Sequence, residues 1–145
     1  RGMGIDGGRI WKESEVDPDT LKDSDLILIG LPRRFPSWLP KKDAFSVSEN
    51  GFILKGTAFA DPADVFFGVF SRPDNRDRNM AFLLPASDRS VDVVARKISH
   101  YGKYSYLAFH DGQNRMKGVW PVTSSPLKIQ WGNEQPSDAA KGIQK

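Results

Sequence analysis

The chain has 145 residues, no cysteine and two histidines, and its 21 Lys/Arg against 18 Asp/Glu leave a formal net charge of +3. That length suits a single domain able to bury its own core. The composition excludes a disulfide scaffold, a thiolate metal site, a cysteine nucleophile and a three-histidine zinc site, and no apolar run nears the roughly 20 residues of a membrane helix.

The first residues, RGMGIDGG, lack an initiator Met and a signal peptide, and they read as the edge of a piece cut from a longer protein. Gly2-Met3-Gly4-Ile5-Asp6-Gly7 spells G-x-G-x-x-G, but that loop cradles a pyrophosphate only between a strand and a helix. No strand precedes it, so a truncated loop is expected. Residues 17–21 suggest a short helical turn capped by Asp17 with Pro18 in its first positions. The acidic run DPDTLKDSD lacks the Gly at position six and Glu at position twelve that a calcium loop needs. Residues 25–30, DLILIG, read as a strand buried on both faces. Residues 31–40 hold three prolines and read as a loop.

Residues 45–47 and 52–54 flank Glu49-Asn50-Gly51, and Asn-Gly between apolar runs predicts a β-hairpin over 45–54. Residues 65–71 and 80–84 are further apolar strands, joined by the charged turn 74–79. Over 90–99 the period changes: Val91, Val94, Ala95 and Ile98 lie at i, i+3, i+4 and i+7 of an amphipathic helix. Asp88 or Ser90 would cap its start, and Gly102 lies just past its end. Residues 104–109 follow as a fourth strand, so 80–109 predict a parallel βαβ unit. Residues 117–122 and 127–131 suggest edge strands, since Pro121 and Pro126 keep them from the sheet centre. The expectation is one α/β layered domain over 1–132, flavodoxin- or Rossmann-like, with a mixed, partly parallel sheet centred on 25–30, 65–71, 80–84 and 104–109. A polar tail follows over 133–145.

The chemistry-bearing residues are sparse. Residues 1–72 carry 10 Lys/Arg against 11 Asp/Glu, and 73–145 carry 11 against 7, an excess too small to point to nucleic acid. Arg33, Arg34, Phe35 and Trp38 mix cations and rings in a Pro-bounded loop that would suit a nucleic-acid strand or sugar, or would pin the loop to the domain. His100 follows the helix, and His110 ends the fourth strand beside Asp111, the only nucleus for acid–base chemistry. No G-x-S-x-G elbow is present. In open α/β sheets ligands lie beyond the carboxyl ends of the strands. That rim would gather 30–34, 72–75 and 110–113, where Arg33, Arg72 and Arg115 could hold a carboxylate, phosphate or sugar.

His100-Tyr101-Gly102-Lys103-Tyr104-Ser105-Tyr106-Leu107, with the segment 117–126, KGVWPVTSSP, resembles the C-terminal region of some bacterial proteins of the zinc-aminopeptidase (gluzincin) superfamily. The resemblance spans about two-thirds of the chain. It implies a non-catalytic accessory α/β domain beside a zinc domain, with the remainder of that polypeptide as its partner, and an exported, periplasmic or membrane-associated parent. The family's H-E-x-x-H is absent here and His100 and His110 lie ten apart, so no catalytic residue, metal ligand or cofactor carries over. The aromatic end formed by Tyr101, Tyr104, Tyr106, Trp120 and Trp131 is then the expected partner surface if it is exposed. A small-ligand, peptide or carbohydrate-binding module is the alternative.

Overall fold

A computed structural model of the chain describes residues 8–34, 39 and 43–122. The expected short turn near the start is a 3-10 turn, Pro18–Leu21. Asp17 caps it, its Oδ1 accepting from the Asp19 N–H at 3.0 Å. The strands are β1 (Leu26–Ile29), β2 (Phe45–Ser48), β3 (Gly51–Leu54), β4 (Thr57–Phe59), β5 (Asp64–Ser71), β6 (Asn79–Pro85), β7 (Tyr106–His110) and β8 (Gln113–Gly118), with helix α1 (Val91–Ile98) between β6 and β7.

Two sheets result. Five strands order as β1-β6-β5-β7-β8, and three as β2-β3-β4. Among the described residues only β1 and β6 pair in parallel; the other pairings are antiparallel. The expected mixed sheet is present, and the fold is mostly β with one α-helix among the described residues. A flavodoxin- or Rossmann-like sheet asks for helices on both faces. Here one face carries α1 and the other carries the three-stranded sheet. β6, α1 and β7 do form a crossover between strands of one direction. β5 sits between them, joined to β6 through the short 72–78 turn and pairing β7 along its other edge.

The side-chain period of two divides the core. On one face Phe66, Phe70, Met80, Phe82, Leu84, Tyr106 and Ala108 meet Phe45, Phe52, Leu54 and Phe59 of the small sheet. Phe45 stacks on Phe66 with ring centroids 4.1 Å apart, and Phe52 on Phe59 at 4.8 Å. On the other face Val94 of α1 closes over Val65, Leu83, Leu107 and Phe109.

The expectation for 25–30 is corrected. β1 is an edge strand buried on one face, and Ile27 and Ile29 are 57% and 58% exposed. An eight-residue helix is about 12 Å long and 10 Å across, whereas five strands spread over about 19 Å. Among the described residues one helix therefore covers the sheet centre and leaves its β1 side bare.

The turns also differ in detail. The 45–54 hairpin forms with Ser48 paired to Gly51. Its glycine serves close approach: a Cβ there would lie 1.9 Å from the Phe59 carbonyl oxygen. The left-handed turns are Lys55-Gly56 and Asp111-Gly112, with φ of 50° and 81°, and 48° and 69°, joining β3 to β4 and β7 to β8 as type I′ turns do. Gly102 is right-handed at φ −58° and supplies no left-handed cap. Ser90 makes no capping bond to α1; its hydroxyl donates to the carbonyls of Pro62 and Ser87 instead. The expected strand 127–131 and the 133–145 tail lie outside the described residues, as does the Gly2–Gly7 loop.

Phe66 is fully buried where the two sheets meet. Phe66→Ala is expected to cost about 3–5 kcal/mol in urea unfolding, and a loss below 1 kcal/mol would show that the two sheets do not pack as a unit.

Candidate functional site

β1, β6 and β7 run in one direction and β5 opposes them, so their carboxyl ends and the start of β5 share one rim. It gathers residues 30–34, 61–64, 86–90 and 110–112. Arg33 and Arg34 stand exposed here on the 3-10 turn Pro32–Arg34. Phe35 and Trp38 lie outside the described residues.

The rim's one buried carboxylate is Asp64, only 4% exposed. The β5–β7 register sets it opposite His110, and His110 Nδ1 donates to Asp64 Oδ1 at 2.8 Å. Asp64 Oδ2 accepts the Asp61 N–H at 2.9 Å, while Asp61 Oδ1 accepts the Ala63 N–H at 2.8 Å. The carboxylate is thus held from both sides, and it orients the imidazole through Nδ1. The Asp beside this histidine in sequence, Asp111, is in the turn instead. Two clefts flank Pro62. One of about 260 Å³ includes Ser87, Ser90, Asp111 and Gly112, and one of about 350 Å³ includes Arg33, Glu49 and Asn50. The Ser87 and Ser90 hydroxyls both donate to the Pro62 carbonyl, so neither is presented to His110 as a nucleophile. Among the described residues no three His, Cys, Asp or Glu side chains converge as a metal site.

The other expected site residues do not join this rim. β5 ends at the opposite one, so Arg72 is corrected from ligand anchor to internal strut. It is 3% exposed. Its guanidinium donates to the Leu21 and Ser24 carbonyls and grips both carboxylate oxygens of Asp74. The Asp74 bond raises the Arg72 pKa, and the same bond holds the Asp74 carboxyl below its usual range. Nearby, Asn75 Nδ2 donates to the Lys22 carbonyl and the Asn79 N–H to Asp25. This end therefore fastens the segment that delivers β1.

His100 is exposed on the turn Ser99–Tyr101, at the other end of β7 from His110. The five residues of β7 span about 13 Å, so the two histidines do not form a pair. Arg115 projects from edge strand β8. The aromatic end divides between the two faces of the sheet. Tyr106 is buried and Trp120 stacks on Phe70, with its Nε1–H donating to the Val69 carbonyl at 3.0 Å. Tyr101 packs edge-on against Phe109 on the helix side, with Lys117 over its ring and that of Tyr104. These four are not one patch, and Trp131 lies outside the described residues.

Asp64 has no local sequence signal, since its partner is 46 residues away and only the register joins them. Asp111-Gly112 does carry a signal, the dipeptide of a two-residue hairpin. Scans of the chain against protein-family models, curated proteins and solved structures find no match.

Arg72→Ala would strand two carbonyls and Asp74, and is expected to cost about 2–4 kcal/mol in denaturant unfolding. Because the folded Asp74 carboxyl is lowered, its contribution is present above the usual carboxylate pKa and fades as pH falls through the lowered one. The stability gap between the wild type and Asp74→Asn should be widest at neutral pH and close in acid. A gap independent of pH would exclude this linkage.

Proposed function

We propose that the chain is a non-catalytic interaction domain and that edge strand β1 is its docking element. The observation that carries this reading is the pair Ile27 and Ile29, more than half exposed beside half-buried Val69 and Ala81 on a strand whose outer edge no described residue pairs. Large apolar side chains on an open strand edge suit a partner that adds a strand and covers them. The resemblance of residues 100–107 and 117–126 to zinc-aminopeptidase-like proteins supports an accessory role beside a catalytic body of that kind. The absence of H-E-x-x-H from the sequence supports a role without catalysis. No helix among the described residues is long and apolar enough to cross a membrane.

A second reading is favoured by the carboxyl rim, where Asp64 orients His110 and two clefts lined by other residues flank Pro62. The rule that ligands of open α/β sheets sit beyond the carboxyl ends of their strands supports a small polar ligand there. His110→Ala should abolish any stabilisation by nucleotides, flavin or oligosaccharides in a thermal-shift screen. No shift of the wild type with any of them at concentrations far above a plausible Kd removes this reading.

The docking reading is tested by a photo-crosslinking residue placed at Ile27, with one at Arg115 on β8 as control, in cells expressing the chain. Protein adducts at position 27 and none at position 115 are expected. Equal adducts, or none at either position, overturn it.

A further inference from the structure

We infer that the partner strand at β1 is the β1 strand of a second copy of this chain, joined antiparallel about a twofold axis at Leu28. The inference rests on β1 being the docking element.

The free edge is defined by the parallel pairing. Gly30 N–H donates to the Leu83 carbonyl of β6 at 3.2 Å. Main-chain groups alternate sides along a strand, so those of Leu26 and Leu28 also face β6, and those of Ile27 and Ile29 face outward. The two residues with exposed apolar side chains thus also hold donors and acceptors that no described residue pairs.

The two edges of this sheet are built differently. β8 carries Arg115 and Lys117, and its register with β7 breaks at Ala108/Phe109. Charges and bulges are the devices that stop strand edges from pairing. β1 reads LILI in regular register and has neither device.

Charge selects the partner and its direction. Exposed Asp23 and Asp25 lead into β1, and exposed Arg33 and Arg34 follow it. With Leu28 on the axis, Ile27 lies opposite Ile29 of the partner subunit, and both are outward-facing, as a hydrogen-bonded antiparallel pair requires. Asp23 then falls towards Arg33 of the partner subunit, once on each side. Lys22, the next cation along, is already paired with Asp19 at 2.6 Å. A parallel arrangement would set acidic end on acidic end. The antiparallel one also gathers four isoleucines on the bare helix-side face, extending the apolar strip of Val69 and Ala81. A four-residue strand is small beside the roughly 800 Å² per partner of a standard interface. The dimer is accordingly weak, with a Kd on the order of tens to hundreds of micromolar.

Sedimentation equilibrium of the chain at low salt tests this, with circular dichroism as the check on folding. The wild type should dimerise over that range. Asp23→Lys and Arg33→Glu, both at exposed sites, should each weaken dimerisation by about tenfold, since each replaces two attractive contacts with two repulsive ones. An equimolar mixture of the two variants should regain the wild-type affinity as a heterodimer. A dimer indifferent to both changes, or a mixture that does not recover, overturns the antiparallel register. A wild type monomeric at about 1 mM overturns self-pairing. In that case an adduct with a different protein at position 27 leaves the docking reading standing, and no adduct removes both.

Discussion

Everything in this molecule follows from a sheet that is apolar on both faces. β5, β6 and β7 carry Phe66, Phe82 and Ala108 on one side and Val65, Leu83 and Phe109 on the other. At about 25 cal/mol per Å² of apolar surface, neither face can stay in water without a heavy penalty. The small sheet β2-β3-β4 covers one face with a stack of phenylalanines. On the other face a single short helix must suffice, and it reaches only part of the way. The order of layers, the position of the cores and the bare flank at β1 are all results of that mismatch in cover.

Local pattern was legible where one residue type forces one geometry. The Asp17-Pro18 start, the Asn50-Gly51 hairpin and the period of α1 could be read, because capping, turn chemistry and a 3.6-residue repeat act over a few residues. The run 25–30 could be read as a strand and not placed. LILI is equally apolar in a central strand and in an edge strand with one bare face, and the neighbours that decide are over fifty residues away. The same limit applies to the βαβ unit. Sequence shows strand, helix and strand, while the interposed β5 pairs with both through contacts distant in sequence.

The candidate sites were less legible than the fold. Arg72 and His110 each stood out as chemistry-bearing residues, and each owes its role to partners that sequence does not reveal. Arg72 turns inward to donate to the Leu21 and Ser24 carbonyls and to Asp74. His110 is oriented by a carboxylate from the opposing strand and not by its neighbour Asp111. A buried Arg72 becomes internal support, and a partly exposed His110 is oriented by the buried Asp64. The tyrosines and Trp120 separate across the sheet: Tyr106, on β7, packs with Trp120 on the small-sheet face, while Tyr101 and Tyr104, ahead of β7, pack on the helix side.

The interrupted register on β8 matters beyond that strand. A sheet with two open edges can add molecules without end, which is the geometry of a fibre. Here the Ala108/Phe109 irregularity and the cations of β8 close one side, leaving a single growing end. Where the joining strand is the β1 of a second copy, only the two β8 edges remain outside, and assembly along the sheet direction stops at two chains.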